Sequence, residues 1–268
     1  MNVTMTRVEM LDLDYIDLQW AFTPSRHDAL AYEIYVDRGE SPEGPFDVVA
    51  GPLRDVYQIS DYIAPRRRAW RTLHYRVRVV GPDGEHVSPP VTSQPRPALE
   101  AMEMIRLYDK LLREYVGRPC VVLPIRTFGT RCASCFDSVT QRRTQSRCAQ
   151  CFNTGFARGY HRPIIAYTQI DPSELAQSNS SELVSEQATT RGRMGVYPLL
   201  KPRDVLVERE GTRWRVASVS RTERLRAPVH QELMLTRIPE GDIEYRLAVR
   251  FPEEERVSPR AFSFKEDL

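Results

Sequence analysis

Leu73-His74-Tyr75-Arg76-Val77-Arg78-Val79 decides the fold class of this chain. Apolar and polar side chains alternate at every step. A period of two puts one set on a buried face and the other toward solvent, which is the pattern of a half-buried β-strand. The same alternation runs through Ile16-Asp17-Leu18-Gln19-Trp20 and through Tyr32-Glu33-Ile34-Tyr35-Val36. Turn formers separate these runs: Gly39 to Pro45, Ala50-Gly51-Pro52, and Gly81-Pro82-Asp83-Gly84. Glycine and proline supply the backbone angles that tight connections need. Residues 1–96 therefore read as an all-β sandwich.

Trp20 on an early strand, the Tyr32–Val36 strand, and Leu73 to Val79 followed by Gly81 to Gly84 and Ser88-Pro89 resemble a fibronectin type III domain. The resemblance implies that Trp20 packs in the core. It also implies that Leu73 and Tyr75 form a tyrosine corner. Arg66-Arg67-Arg68 and Trp70 depart from the loop residues usual in that family. Sandwiches of this kind act as spacers or adhesive modules and bring no chemistry of their own.

A linking helix is expected over 97–118. Pro97 suits its first turn. Ala101, Met104, Ile105, Tyr108, Leu111, Leu112 and Tyr115 fall at helical spacing, with Met102 and Leu107 off that stripe. Gly117 and Pro119 end it. A Met/Tyr stripe fits docking on a neighbouring domain or on another subunit, so Met104, Tyr108, Leu111 and Tyr115 are candidate partner-binding residues.

The strongest chemical signal is Cys132-x2-Cys135-x12-Cys148-x2-Cys151. Each CxxC turn points two thiolates at one centre, and the insert lets the second pair complete a tetrahedron. The expectation is a closed structural site of four sulfurs, with zinc favoured over iron, in a ribbon inserted at 129–160. Such a site staples a fold and does not catalyse. Between 119 and 162 lie Arg126, Arg131, Arg142, Arg143, Arg147, Arg158 and Arg162, with Asp137 the one acid. That makes a basic finger, with Arg142, Arg143 and Arg147 as candidate contacts to nucleic acid or to an acidic protein surface. The competing reading is that the arginines balance the thiolate cluster. Cys120, outside the spacing, is expected to be a small buried residue.

Beyond the ribbon, Pro163–Ile170 reads as a strand, Ala176–Arg193 as a polar arm, and Asp204–Val219 as a hairpin turning at Gly211. Val229–Ile238 and Ile243–Val249 add strands, followed by a tail over 251–268. With residues 120–126 these form a small β-barrel over 119–250. The fold class is thus mainly β: sandwich, linking α-helix, and C-terminal barrel with an inserted zinc ribbon. The order of Val205-Leu206-Val207, a glycine turn, Trp214-Arg215-Val216 and a strand ending Leu235-Thr236-Arg237-Ile238 resembles small barrel proteins of the head–tail connector of tailed bacteriophages. The four-cysteine ribbon is similar to zinc-bearing inserts of phage virion proteins. The resemblance implies a structural virion protein of the neck. It would build a homo-oligomeric ring and touch portal, connector or tail components. It would reside in the virion and, during assembly, in the host cytoplasm.

Composition sets the outer limits. The chain has 268 residues, 41% of them hydrophobic, with a formal net charge of +2. Its mean hydropathy is −0.46, and no apolar run approaches the length of a membrane span. The N-terminus lacks the charge and apolar pattern of a signal peptide. Metal-spaced cysteines fit a reducing compartment. His27, His74, His86, His161 and His230 are scattered, and P-loop, GxSxG, HExxH and GxGxxG motifs do not occur. No catalytic residue is expected. His161, beside the ribbon, reads as a strand-edge residue or a group behind the metal ligands. The alternative function is a nucleic-acid-binding zinc-ribbon protein. An extracellular adhesion protein fits less well without a secretion signal.

Overall fold

A computed structural model describes residues 2–10, 15–23, 29–62, 72–92, 98–137, 139–140, 142–171, 189–225 and 227–251. His27, Arg66–Arg68, Trp70, Pro95–Pro97, most of the polar arm and the tail from 252 lie outside these residues.

The first sheet holds β1 (Val3–Met10), β2 (Tyr15–Phe22) and β5 (Gln58–Tyr62), in the order β1-β2-β5. The second holds β3 (Glu33–Gly39), β4 (Phe46–Leu53), β6 (His74–Gly81) and β7 (Gly84–Val87), in the order β4-β3-β6-β7. A two-residue strand, β8 (Val91–Thr92), pairs with β6. All pairings are antiparallel. The alternating residues bury one face of each sheet into a shared core around Trp20, Tyr32, Tyr57 and Tyr75, all fully buried. The Tyr75 hydroxyl donates to the Asp61 carboxylate at 2.7 Å, so this corner closes on a side chain.

One turn expectation is corrected. Ala50-Gly51-Pro52 lies inside β4. β4 is the edge of its sheet, where a missing N–H breaks no ladder. The strand bends there through register shifts against β3. Gly51 sits at φ +146°, and an added Cβ would lie 2.4 Å from the Tyr35 ring, so only glycine fits.

Helix α1 spans Leu99–Leu111 and widens into a π turn over Leu112–Val116. Gly117 N–H closes that turn on the Leu112 carbonyl at 2.9 Å. A Cβ at Gly117 would meet the same oxygen at 2.4 Å. The helix buries Ala101, Met102, Ile105 and Leu112. Met102 is therefore part of the inward face, contrary to the sequence reading.

The C-terminal half is a closed six-stranded barrel in which β12 (Ile164–Ile170), β13 (Thr189–Met194), β16 (Ala227–Arg237), β15 (Arg213–Arg224), β14 (Val205–Glu208) and β9 (Arg118–Leu123) follow one another around the wall. A short ribbon hairpin, β10 (Phe136–Asp137) with β11 (Arg142–Arg143), sits between β9 and β12. Cys120, Val122, Met194, Leu206, Trp214 and Leu235 fill one core. Val121, Leu123, Val205, Val207, Ile238 and Leu247 form another on the opposite face of β9 and β14. Both faces of β9 are covered, which explains its continuous apolar run. Cys120 is buried, as expected, and its thiol is hydrogen-bonded to Thr168.

Two further expectations are corrected. The end of the polar arm, Thr189–Met194, is strand β13, pairing with β12 and β16. Ile243–Arg246 is a 3-10 turn and not a strand. Arg213 holds this turn by donating to the Glu244 and Leu247 carbonyls at 2.9 and 2.8 Å. Gln231, fully buried on β16, organises the 195–200 loop. Its amide nitrogen donates to the carbonyls of Gly195, Val196 and Pro198, and its oxygen accepts from Leu200 N–H.

Candidate metal centre

The chain leaves β9 through Pro124 and enters the ribbon, whose root is bound to the sandwich. Arg126 is 4% exposed. It donates to the Asp55 carboxylate at 2.8 Å, to the Asp55 carbonyl at 2.9 Å and to the Tyr160 carbonyl at 3.1 Å. Phe128 meets Tyr57 edge-on at 5.4 Å and packs on the sandwich core. Ser60 and Tyr197 share a hydrogen bond across the same joint. Arg126 is thus an internal tie and not a surface contact of the basic finger. Its partner lies 71 residues away, and no local sequence signal announces it.

Past this root the four cysteines converge. Their ligand atoms all lie within 4.8 Å of one another, and all four residues are buried. Cys132 Sγ is 3.7 Å from Cys148 Sγ, and Cys135 Sγ is 3.4 Å from Cys151 Sγ. None is in a disulfide. Metal–sulfur bonds of about 2.3 Å define a tetrahedron with edges of about 3.8 Å, so these separations fit one ion. Local turns create the cluster. Phe136 N–H donates to the Cys132 carbonyl, and Phe152 N–H donates to the Cys148 carbonyl at the equivalent place in the second CxxC. Phe152 and Asn153 take positive φ to complete the second turn. Cys132 N–H donates to the Gly155 carbonyl and ties the two halves together.

Burial opposes charge on the Cys148 thiol. The backbone amides of Cys151 and Gln150, with the neighbouring Cys135 and Cys151 thiols, outweigh it and bring the group down to about 7. Burial, followed by its hydrogen bonds to the other three cysteines, pushes Cys135 up. Four thiols this close cannot all ionise alone, whereas a dication at their centre deprotonates them outright. The donor set is soft, and among the described residues no fifth ligand joins it, so the centre is suited to holding structure and not to presenting an open position to a substrate.

His161 stands at the joint and not among the ligands, its ring 5.9 Å from that of Phe128. Burial, then the charges of Arg126 and Lys201, lower it to about 4, so it is neutral at pH 7. Asp204, which sequence reasoning missed, accepts Ile125 N–H at 2.7 Å and Lys201 N–H at 2.6 Å. Burial raises it to about 6 despite these bonds.

Arg142, Arg143 and Arg147 are exposed on the ribbon. Arg131 lies over the rings of Phe136 and Phe156, 4.7 and 4.4 Å from their centroids. On α1 and its π turn, Met104, Leu111 and Tyr115 are exposed, Tyr115 by 72%, and Leu99 and Leu107 join them. Tyr108 differs from the expected partner contact: its ring stacks on His230 of β16 at 4.6 Å and serves the barrel wall.

No family model matches the chain, and no curated protein matches it. Among solved structures, one titled "Titin kinase and its flanking domains" is similar over 88% of this chain, at 9% identity and a TM-score of 0.27. This chain spans 36% of that structure, and a likeness at this level carries no argument.

Proposed function

We propose that this chain is a structural assembly subunit, and that its four-cysteine centre holds zinc. It would serve as a neck or head–tail connector component of a tailed-phage virion, making ring contacts with its own copies and docking other virion proteins. The observation that carries this reading is the pairing of a buried domain joint with an apolar helix face that no described residue covers. Arg126 and Asp55 lock the sandwich to the barrel, while Leu99, Leu107 and Tyr115 project from the barrel wall. A chain that spends a buried ion pair on fixing two β-modules is suited to holding a shape. A helix that keeps large apolar residues in water is suited to a protein partner. The closed thiolate site adds rigidity near the same joint, so docking costs little ordering entropy. Zinc is preferred because an all-thiolate, redox-silent tetrahedral site in a small module suits its filled d shell.

Native mass spectrometry of the purified protein with metal analysis tests this reading. The expected result is one zinc per chain and a ring-sized or partner-dependent assembly. A monomer at all concentrations that ignores virion partners overturns the assembly role. Iron, or no metal, overturns the zinc assignment.

A further inference from the structure

We propose that the ribbon and the neighbouring barrel loop form a phosphate-binding surface for the backbone of a nucleic acid. The central observation is a meeting of two guanidinium groups. Arg143, on the ribbon hairpin, donates to the Asn153 carbonyl. Arg203, in the loop before β14, donates to that same oxygen at 3.3 Å. Two cations from elements 60 residues apart in sequence therefore converge on one neutral acceptor. Among the described residues, no ion pair joins either to a carboxylate. Like charges brought together in this way are unfavourable until an anion bridges them. A guanidinium retains several N–H donors after giving one to a carbonyl.

The surroundings have the same sign. Arg142, Arg147 and Arg158 are exposed on the ribbon. Asp137, the ribbon's one acid, faces Arg142 across the hairpin. Its carboxylate is nevertheless turned back into its own loop, accepting Val139 N–H at 2.9 Å and the Thr140 hydroxyl at 2.8 Å. Setting aside Arg126, which Asp55 neutralises, and counting a four-thiolate zinc as two negative charges, the segment 119–162 carries about +3. Arg203 raises that further, while the whole chain carries only +2. Counted alike without the metal centre, 119–162 holds seven arginines against one acid in a chain of net charge +2, so the rest of the molecule is net acidic.

The surface is built for phosphates and not for bases. The ribbon rings that could stack on a base are occupied: Phe136 and Phe156 lie under Arg131, and Phe152 packs toward Tyr160. Recognition would run through charge and guanidinium hydrogen bonds and would be independent of sequence. The thiolate cluster is the competing explanation for the arginines. Yet the hydrogen bonds of Arg143 and Arg203 go to a carbonyl and not to sulfur. The inference needs only the metal-held finger and stands whether or not the chain forms a ring.

Fluorescence anisotropy of the full, zinc-loaded chain with two unrelated 20-base-pair duplexes, over a range of salt, tests it. Contacts from Arg142, Arg143, Arg147, Arg158 and Arg203 predict equal affinity for both duplexes. They also predict a log–log salt slope of about −4.5. Arg143→Gln with Arg203→Gln should flatten the slope by about 2 and weaken binding at least about 10-fold, with zinc content unchanged. Arg142→Gln, at an exposed position, should flatten it by about 1 with the fold undisturbed. Three results overturn the proposal: no binding at low salt, binding indifferent to these substitutions, or polyglutamate binding as tightly as DNA. The last would identify an acidic protein surface as the partner.

Discussion

Arg126→Met is the most informative single perturbation. It removes the guanidinium and leaves the Asp55 carboxylate, whose side chain is 3% exposed, buried without its counter-ion. It also leaves the Asp55 and Tyr160 carbonyls short of a donor. Removing one partner of a buried pair costs about 3–5 kcal/mol, because the remaining charge keeps its desolvation penalty. Asp55→Asn is the companion change. Asp55 sits at φ +52°, a region asparagine tolerates, so the backbone does not confound the result. In the double variant no charge is buried, and the pairwise coupling should amount to about 1–3 kcal/mol. Urea unfolding with hydrogen exchange read separately on β1–β8 and on the barrel strands is the assay. Wild-type protein should lose protection in both regions together, whereas Arg126→Met should let the sandwich and barrel open at different urea concentrations. A loss below about 1 kcal/mol with both regions still opening together would refute the claim that this pair fixes the joint.

Other outcomes follow from neighbouring features. Chelation, or Cys132→Ser with Cys148→Ser, should strip protection from about residue 131 to 160. Arg126 and Phe128 should stay protected, because Asp55 and Tyr57 hold them without metal; hydrogen exchange with and without chelator checks this. His161 has its pKa lowered to about 4, so the unfolded chain binds a proton first as pH falls below about 6.5. Stability should be full above that pH and should fall by at most about 3 kcal/mol by pH 4, and His161→Gln should flatten that slope in pH-dependent denaturation. Gln231→Met strands Leu200 N–H and relieves three carbonyls of their shared donor, so thermal denaturation should show a loss of about 2–4 kcal/mol. Leu107→Glu with Tyr115→Glu should leave monomer stability within about 0.5 kcal/mol yet abolish assembly. Tyr108→Ala should destabilise the barrel, because its ring rests on His230.

What could be read from sequence divides along physical lines. Strands β3 and β6 were legible because long aliphatic and aromatic residues occupy alternate positions and face one core. Strand β13 was not. Its inward residues are Thr190, Gly192 and Met194, and a Cβ at Gly192 would come within 2.9 Å of the end of the Leu235 side chain. The period of two is present there but carries little hydrophobic contrast. The opposite error arose at Ile243–Val249, where apolar residues alternate as in a strand. The barrel is closed by β9 and β14, leaving no edge for another strand, and Leu247 packs on its outer core instead. The four-cysteine cluster was legible because CxxC geometry is local. The joint was not, because Asp55 and Arg126 meet only after two domains have folded.

The helix face and the basic finger depart from opposite ends of β9: α1 and its π turn enter at Arg118, and the ribbon leaves beyond Leu123. An apolar surface binds through area removed from water and changes little with salt. A guanidinium surface binds through counter-ion release and weakens steeply with salt. Were the two sets interleaved on one face, a single partner would need to satisfy both, and each would mask the other's salt response. Placed apart on the barrel half, with α1 against β16 and the ribbon between β9 and β12, they can be occupied together. One surface would set which protein the subunit touches, and the other would hold a polyanion at a constant distance from that contact. The closed barrel, and not the Arg126–Asp55 joint, would set the distance between the two patches, so Arg126→Met should loosen the sandwich and leave that distance unchanged.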